Sequence, residues 1–102
     1  MSDSKKIGQI ELHLDDDIAQ GHYANLAIIS HSPSEFIVDF AAVLPGLPKS
    51  KIKSRIILTP EHAKRLLYSL QENIARYESK LGEISISQGD QDNNYNFGSK
   101  PS

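Results

Sequence analysis

One segment of the chain, residues 59 to 82, has the pattern of a long amphipathic helix with both ends marked. Thr59 is a good N-cap, Pro60 suits the first helical position and Gly82 suits the C-terminal cap. The pattern predicts a helix of about 22 residues, whose apolar stripe another helix or a sheet must cover. Alternating steps of four and three separate the stripe residues, with Leu66 widening the stripe: Ala63, Leu67, Leu70, Ile74, Tyr77 and Leu81.

Four segments before this helix carry the signals of β-strands. They are residues 9 to 14, 23 to 30, 36 to 43 and 51 to 58. The linkers DDDIAQG, HSPS and LPGLPKS hold the acids, glycine and prolines that are typical of turns. Because short turns join antiparallel neighbours, the sequence predicts an α+β fold, with a four-stranded antiparallel meander followed by one long C-terminal helix.

The chain length and composition indicate one domain. Its 102 residues, 38% of them hydrophobic, suffice for one core and not for two. We expect this domain over residues 9–82, after a flexible N-terminus at 1–8. Residues 83–102 are rich in Ser, Asn, Asp, Gln and Gly and predict a disordered polar tail. Ile84 and Ile86 could still add a short edge strand there.

The LPGLPKS loop predicts how the third and fourth strands pair. If the loop is symmetric, paired residue numbers sum to about 94. This register places Asp39 opposite Arg55. The favoured interpretation of Asp39 is therefore a structural ion pair, with a catalytic role as the alternative. On the other face the register pairs Phe36 with Leu58, Val38 with Ile56, Phe40 with Ser54 and Ala42 with Ile52.

The HSPS turn extends the pairing to the second predicted strand. Residue numbers that sum to about 66 place Ile28 beside Val38, so that even-numbered residues form the core face. The odd-numbered face then carries an isoleucine cluster, Ile29, Ile37 and Ile57. One helix covers only one face, so we expect a second copy on the other, and the sequence predicts a homodimer. The alternative is a monomer in which the helix and the first strand share the covering.

A basic residue occupies every second position before and within the last predicted strand: Lys49, Lys51, Lys53 and Arg55. The functional interpretation is a site for phosphate or for an acidic protein surface. The favoured one is an edge strand whose lysines deter aggregation, because no aromatic residues interleave with the charges. We therefore expect no nucleic-acid partner, and binding through residues 49 to 55 is a weaker alternative.

Residue types that carry chemistry do not form a recognised motif. The four histidines lack metal-ligand spacing, and the chain has neither a glycine-rich phosphate loop nor a nucleophile elbow. We expect no catalytic residue, no metal and no cofactor. The alternative is a small-anion binding or catalytic site around Asp39, Arg55 and His62. Its neighbourhood would include Tyr23, Asn25, Glu35 and Lys64.

Charge and cysteine content indicate the compartment. A formal net charge of −2 provides no field that attracts nucleic acid or an anionic membrane. The chain has no cysteine, its start is polar, and no apolar run approaches the roughly 20 residues that cross a bilayer. We expect a cytoplasmic protein that does not enter the membrane.

The stretches HYANLAIISHSPSEFIVDFAAVLPG and RIILTPEHAKRLLYSLQENIARYE resemble an uncharacterised family, a domain of unknown function in bacterial and archaeal proteins of about this length. The shared motifs are YAN, SPxEFxxDF, PG and TPxHAKRLLxxLxxNIxxYE, and the resemblance spans residues 9 to 81. It implies no reaction, and it implies a transcription-associated partner. The positions that the resemblance marks as motif residues are Tyr23, Ala24, Asn25, Ser32, Pro33, Glu35, Phe36, Asp39, Phe40, Pro60, His62, Ala63 and Lys64.

Together these patterns predict a small non-enzymatic protein-interaction module. We expect it to be a homodimer that offers a mixed apolar and basic surface to a protein partner. The candidate interaction residues are Ile29, Ile37, Ile57, Lys51, Lys53 and Arg55.

Overall fold

The computed structural model describes residues 3–87. Part of the expected polar tail, residues 88–102, lies outside them. Residues 83–87 form no strand, so the possible edge strand at Ile84 and Ile86 is not formed. In order, the elements are β1 (Asp3–Ile7), β2 (Ile10–Leu14), α1 (Asp16–Ala19), β3 (Leu26–His31), β4 (Phe36–Ala41), β5 (Ile52–Leu58) and α2 (Pro60–Leu81).

The strands form two antiparallel sheets, so the predicted single four-stranded sheet is wrong. β1 and β2 pair as a hairpin, and β3, β4 and β5 form a separate sheet in that order. The expected flexible N-terminus contains β1, which pairs Asp3 with Leu14 and Ile7 with Ile10. The connecting Gly8 has a φ of +61°, which glycine adopts without strain. The two-residue turn at Gly8 and Gln9 thus brings β1 alongside β2 as its partner.

The linker DDDIAQG is not a plain turn between neighbouring strands. It contains α1, whose first turn is closed by hydrogen bonds from Ile18 N and Ala19 N to Asp15 O, at 3.0 and 2.8 Å. Asp16 and Asp17 lie in this first turn, where negative charge is favourable. The helical turn separates β2 from β3, and the two strands do not pair.

The predicted register between β4 and β5 is confirmed over most of its length. Asp39 lies opposite Arg55, and Val38 lies opposite Ile56. The predicted pair of Ala42 with Ile52 is wrong, because an irregularity after Phe40 brings Ala41 opposite Ile52 instead. Such a bulge adds one residue to a strand and bends it.

The predicted register between β3 and β4 is wrong by one residue. Ile29, rather than Ile28, pairs with Val38. The reason is the turn, which is centred between Pro33 and Ser34 rather than on Pro33. Ser32 N donates to Glu35 O at 2.9 Å, and Ser34 N donates to Ser32 Oγ at 3.3 Å. A shift of one residue moves every β3 side chain to the opposite face.

This register defines two faces of the three-stranded sheet. Ile29 therefore does not share a face with Ile37 and Ile57, and the expected cluster of three isoleucines is corrected to Ile28, Ile37 and Ile57. The groove face carries Ala27, Ile29, His31, Phe36, Val38, Phe40, Ser54, Ile56 and Leu58. The outer face carries Leu26, Ile28, Ser30, Ile37, Asp39, Ala41, Arg55 and Ile57.

The long helix is confirmed with its predicted ends. α2 has 22 residues, Thr59 Oγ1 accepts a hydrogen bond from His62 N at 3.2 Å, and Gly82 follows with a φ of +103°. Ion pairs at a spacing of four support it, between Arg65 and Glu61 at 2.7 Å and between Arg76 and Glu72 at 3.9 Å.

The core of a single copy is very small. Among the described side chains, only Val38 and Ala41 are buried, at 7% and 3% exposure. Apart from paired strands, α2 and β5 are the only elements of residues 3–87 with more than marginal contact. Only the first three turns of α2 lie along the sheet, across an open groove. More than twenty large apolar side chains are exposed within the described range.

Candidate interaction site

An apolar groove separates α2 from the groove face of the sheet. Its volume is about 620 Å³. β3 and β4 supply one wall, with Ile29, Phe36 and Val38, and the first three turns of α2 supply the other, with Leu66, Leu67 and Leu70. The helical stripe and the strand register together place these side chains on the same cavity.

The groove suits apolar contact rather than acid–base chemistry. Lys64 is the only ionisable residue that lines it, and the other lining residues are apolar. Leu66, Leu67 and Leu70 are about half exposed there. A cavity of this size and composition is suited to apolar side chains, and its lining offers no pair of groups for proton transfer.

The outer face contains the predicted ion pair. Arg55 Nε donates to Asp39 Oδ1 at 2.7 Å, and Arg55 Nη2 donates to Asp39 Oδ2 at 2.9 Å. The Asp39 side chain is 14% exposed and the Arg55 side chain 61%. Both carboxylate oxygens are engaged by one guanidinium, which fixes the register of β4 against β5.

The ion pair shifts the pKa of both partners. The side-chain hydrogen bonds from Arg55 hold the pKa of Asp39 below its ordinary value of 3.8, partial burial opposes this, and the positive charge of Arg55 adds to the lowering. The same hydrogen bonds raise the pKa of Arg55 above its ordinary value. Asp39 is therefore ionised at neutral pH and unsuited to general-base catalysis there.

We expect the protein to lose stability in acid, because the stabilising contribution of this ion pair is lost there. The folded pKa of Asp39 lies below the unfolded one, so its contribution is present above about pH 4 and lost as the pH falls through the folded pKa. Asp39→Asn should flatten the decrease in unfolding free energy between about pH 5 and pH 3, as measured by urea unfolding. Arg55→Gln removes the same hydrogen bonds and should have the same effect. A wild-type slope in both variants would contradict this role.

Asn25 has a structural role at the end of β3. Its Nδ2 donates to Val43 O at 3.0 Å, and its Oδ1 accepts from Val43 N at 2.7 Å. Its own backbone N donates to Ala41 O at 3.0 Å. These bonds extend the pairing of β3 with β4 beyond the last ladder position. Nearby, the Tyr23 side chain is exposed.

The residues of the alternative anion site are not brought together on one face. Asp39 and Arg55 lie on the outer face, whereas Lys64 lines the groove on the opposite side of the sheet. Glu35 O accepts the hydrogen bond that closes the β3–β4 turn, and His62 N donates to Thr59 Oγ1 at the start of α2. A single copy therefore does not form a site that uses Asp39 and Lys64 together.

The basic segment lies at a sheet edge. β5 is an outer strand of its sheet, and Lys51 precedes its first residue. The register passes from Ser54 to Ile52 at the bulge, so Lys53 has no ladder partner. Lys51, Lys53 and Arg55 are exposed. This arrangement fits the edge-strand interpretation.

The hairpin of β1 and β2 is a further apolar surface, whose strand at residues 9 to 14 was expected in a single four-stranded sheet. Ile10, Leu12 and Leu14 alternate along β2 and are exposed. Within residues 3–87, contacts of the hairpin with any other element are at most marginal. The alternation of β2 signalled an apolar face correctly, and it carried no information on what that face contacts.

The described residues contain neither a metal cluster nor a membrane-spanning helix. No group of three or more His, Asp or Glu side chains within residues 3–87 could hold a metal ion. In the same range, no helix combines the length and the apolar character needed to span a bilayer. α2 is long enough at 22 residues, and its many charged residues account for the result.

Comparison with known proteins identifies a family. No curated protein and no solved structure matches the chain. A family model described as "Protein of unknown function (DUF3467)" matches residues 1–86, which is most of the chain. This confirms the resemblance to an uncharacterised family that the YAN, SPxEFxxDF and TPxHAKRLL motifs indicated. The chain belongs to the DUF3467 family of proteins of unknown function.

Proposed function

We propose that this protein is a small non-enzymatic interaction module that works as a homodimer. The observation that carries the proposal is the mismatch between exposed and buried apolar side chains. Only Val38 and Ala41 are buried among the described side chains, whereas the whole stripe of α2 from Leu66 to Leu81 is exposed or partly exposed. Soluble monomers rarely expose so much contiguous apolar surface.

Dimerisation supplies the missing core. Each fully buried Leu, Ile or Phe side chain contributes about 1.5 to 3 kcal/mol. Two buried residues therefore cannot offset the conformational entropy of ordering a chain of this length. Filling the groove would bury Ile29, Phe36 and Leu67 in one step. Stability and assembly are then the same process, as in obligate homodimers.

The outer face supplies the surface for a protein partner. Ile28 and Ile57 are exposed there beside the Asp39–Arg55 ion pair. The exposed Lys53 adds positive charge on the edge strand β5. An apolar patch rimmed by charge is typical of protein-binding surfaces. A transcription-associated partner and a cytoplasmic location in bacteria or archaea belong to this proposal.

The alternative anion site has less support. Asp39 and Arg55 satisfy each other's hydrogen bonds at 2.7 and 2.9 Å, and Lys64 lies on the other side of the sheet. An anion would have to displace a bidentate ion pair to reach Arg55. Binding of nucleic acid through residues 49 to 55 has no supporting geometry beyond the basic sequence itself.

The proposed binding of a protein partner to the outer face is tested by affinity purification of the tagged protein from its native cells at moderate salt. We expect a stoichiometric protein with the wild type and its loss with Ile57→Asp, which changes the outer face. Leu47→Asp is a matched control, because Leu47 lies in the β4–β5 loop and is 55% exposed against 59% for Ile57. Equal recovery from both variants, or recovery of the tagged chain alone, would refute an outer-face partner.

A further inference from the structure

The stripe of α2 is symmetric about its middle. Its members pair as Ala63 with Leu81, Leu67 with Tyr77 and Leu70 with Ile74, and each pair is centred on position 72. In a two-fold contact, residue i of one copy meets residue j of the other, and j meets i. An antiparallel crossing of two α2 helices at position 72 therefore places an apolar side chain opposite an apolar side chain at every level.

We propose that the second copy occupies the groove with its own α2, antiparallel to the first and centred on position 72. This inference rests on the proposed homodimer and specifies its interface. The antiparallel direction follows from the charged residues that flank the stripe. Lys64 and Glu78 lie on the same flank, because they are spaced by two heptads.

The flanking charges favour the antiparallel arrangement. Lys64 of one copy then lies across from Glu78 of the other, and the two-fold axis repeats this pair. Within one helix these residues are about 21 Å apart and cannot pair with each other. A parallel arrangement would instead place Leu66 near Gln71 and Asn73 near Glu78, with no pair of opposite charges.

The available area fits a stable dimer. Six large stripe side chains, which are 40 to 71% exposed, offer on the order of 80 Å² apiece, or roughly 500 Å² per copy. The sheet wall of the groove, Ile29, Phe36 and Leu58, adds to this. A stable interface needs about 800 Å² per partner, so α2 together with the sheet wall provides an area of that order.

The direction of the helices is tested by disulfide cross-linking of the full chain, which has no native cysteine. An equimolar mixture of Ala63→Cys and Leu81→Cys proteins should form a disulfide-linked dimer, because positions 63 and 81 meet in the antiparallel arrangement. Each variant alone should not cross-link. Cross-linking of each variant with itself would demonstrate parallel helices, and cross-linking of neither combination would exclude α2 as the interface.

The charge pair is tested by reversal. Lys64→Glu and Glu78→Lys should each raise the dissociation constant of the dimer about tenfold at low salt, since each change creates two like-charge contacts. The double variant should return to within about threefold of the wild type. Glu78 Oε2 also accepts a hydrogen bond from Ile84 N at 3.0 Å, so the comparison is made between Glu78→Lys and the double variant. Additive losses would overturn the pairing of Lys64 with Glu78.

These outcomes separate the helix arrangement from the proposed homodimer. A dimeric molar mass without linkage of positions 63 and 81 would overturn the antiparallel helix pair and leave the homodimer in place. A monomeric wild type would overturn both.

Discussion

Leu67→Asp should abolish the dimer and the cooperative fold, whereas Tyr68→Asp should be close to neutral. Both side chains are 56% exposed in one copy and are adjacent on α2, but only Leu67 lines the groove. If the second copy fills the groove, Leu67 is buried, and an unpaired aspartate there costs on the order of 3 to 5 kcal/mol per copy. Tyr68 stays in solvent, where substitutions change stability by about 0.5 kcal/mol.

Urea unfolding and molar mass measured on the same samples test this expectation. Tyr68→Asp is the matched control because it introduces the same charge one residue away at the same exposure. Equal effects of the two substitutions on the free energy of unfolding, within about 0.5 kcal/mol, would contradict burial of the groove.

The thermal midpoint should rise with protein concentration. For a dimer whose folding and association are coupled, mass action raises the midpoint by about 4 °C for each tenfold increase in concentration, given about 0.7 kcal/mol of unfolding enthalpy per residue. Scanning calorimetry from a few micromolar to a few hundred micromolar would measure this. Two chains joined by a flexible linker should show no such dependence. A wild-type midpoint that does not change with concentration would contradict the coupling.

Local sequence signals predicted the helix and one strand pair. The ends of α2 follow from Thr59, Pro60 and Gly82, whose effects are local to the helix termini. The register of β4 with β5 follows from the LPGLPKS loop, which also predicted the Asp39–Arg55 ion pair. In both cases the determining residues are adjacent in sequence to the element they control.

The parts that the sequence did not predict depend on one-residue detail or on distant contacts. The turn centred between Pro33 and Ser34, rather than on Pro33, moved Ile29 from the expected outer cluster into the groove. β1 was missed because DSKKI is polar and lacks strand alternation. β2 pairs with β1 rather than with β3. The alternation of apolar residues along β2 does not indicate which strand is its partner.

The groove could have been predicted only in part. The stripe of α2 was evident from its spacing, and the sequence also required something to cover it. The sheet of the same copy leaves Leu66, Leu67 and Leu70 about half exposed. This exposure depends on tertiary packing, which the spacing of apolar residues along the helix does not indicate. The expectation of a dimer came from a surplus of apolar faces, and the groove now specifies which surface is proposed to be the interface.

Whether one copy completes its own core is measured by the molar mass of the wild-type protein, by sedimentation equilibrium at low micromolar concentration. We expect twice the chain mass of 11.3 kDa. A mass of one chain, in a sample that unfolds cooperatively, would contradict it.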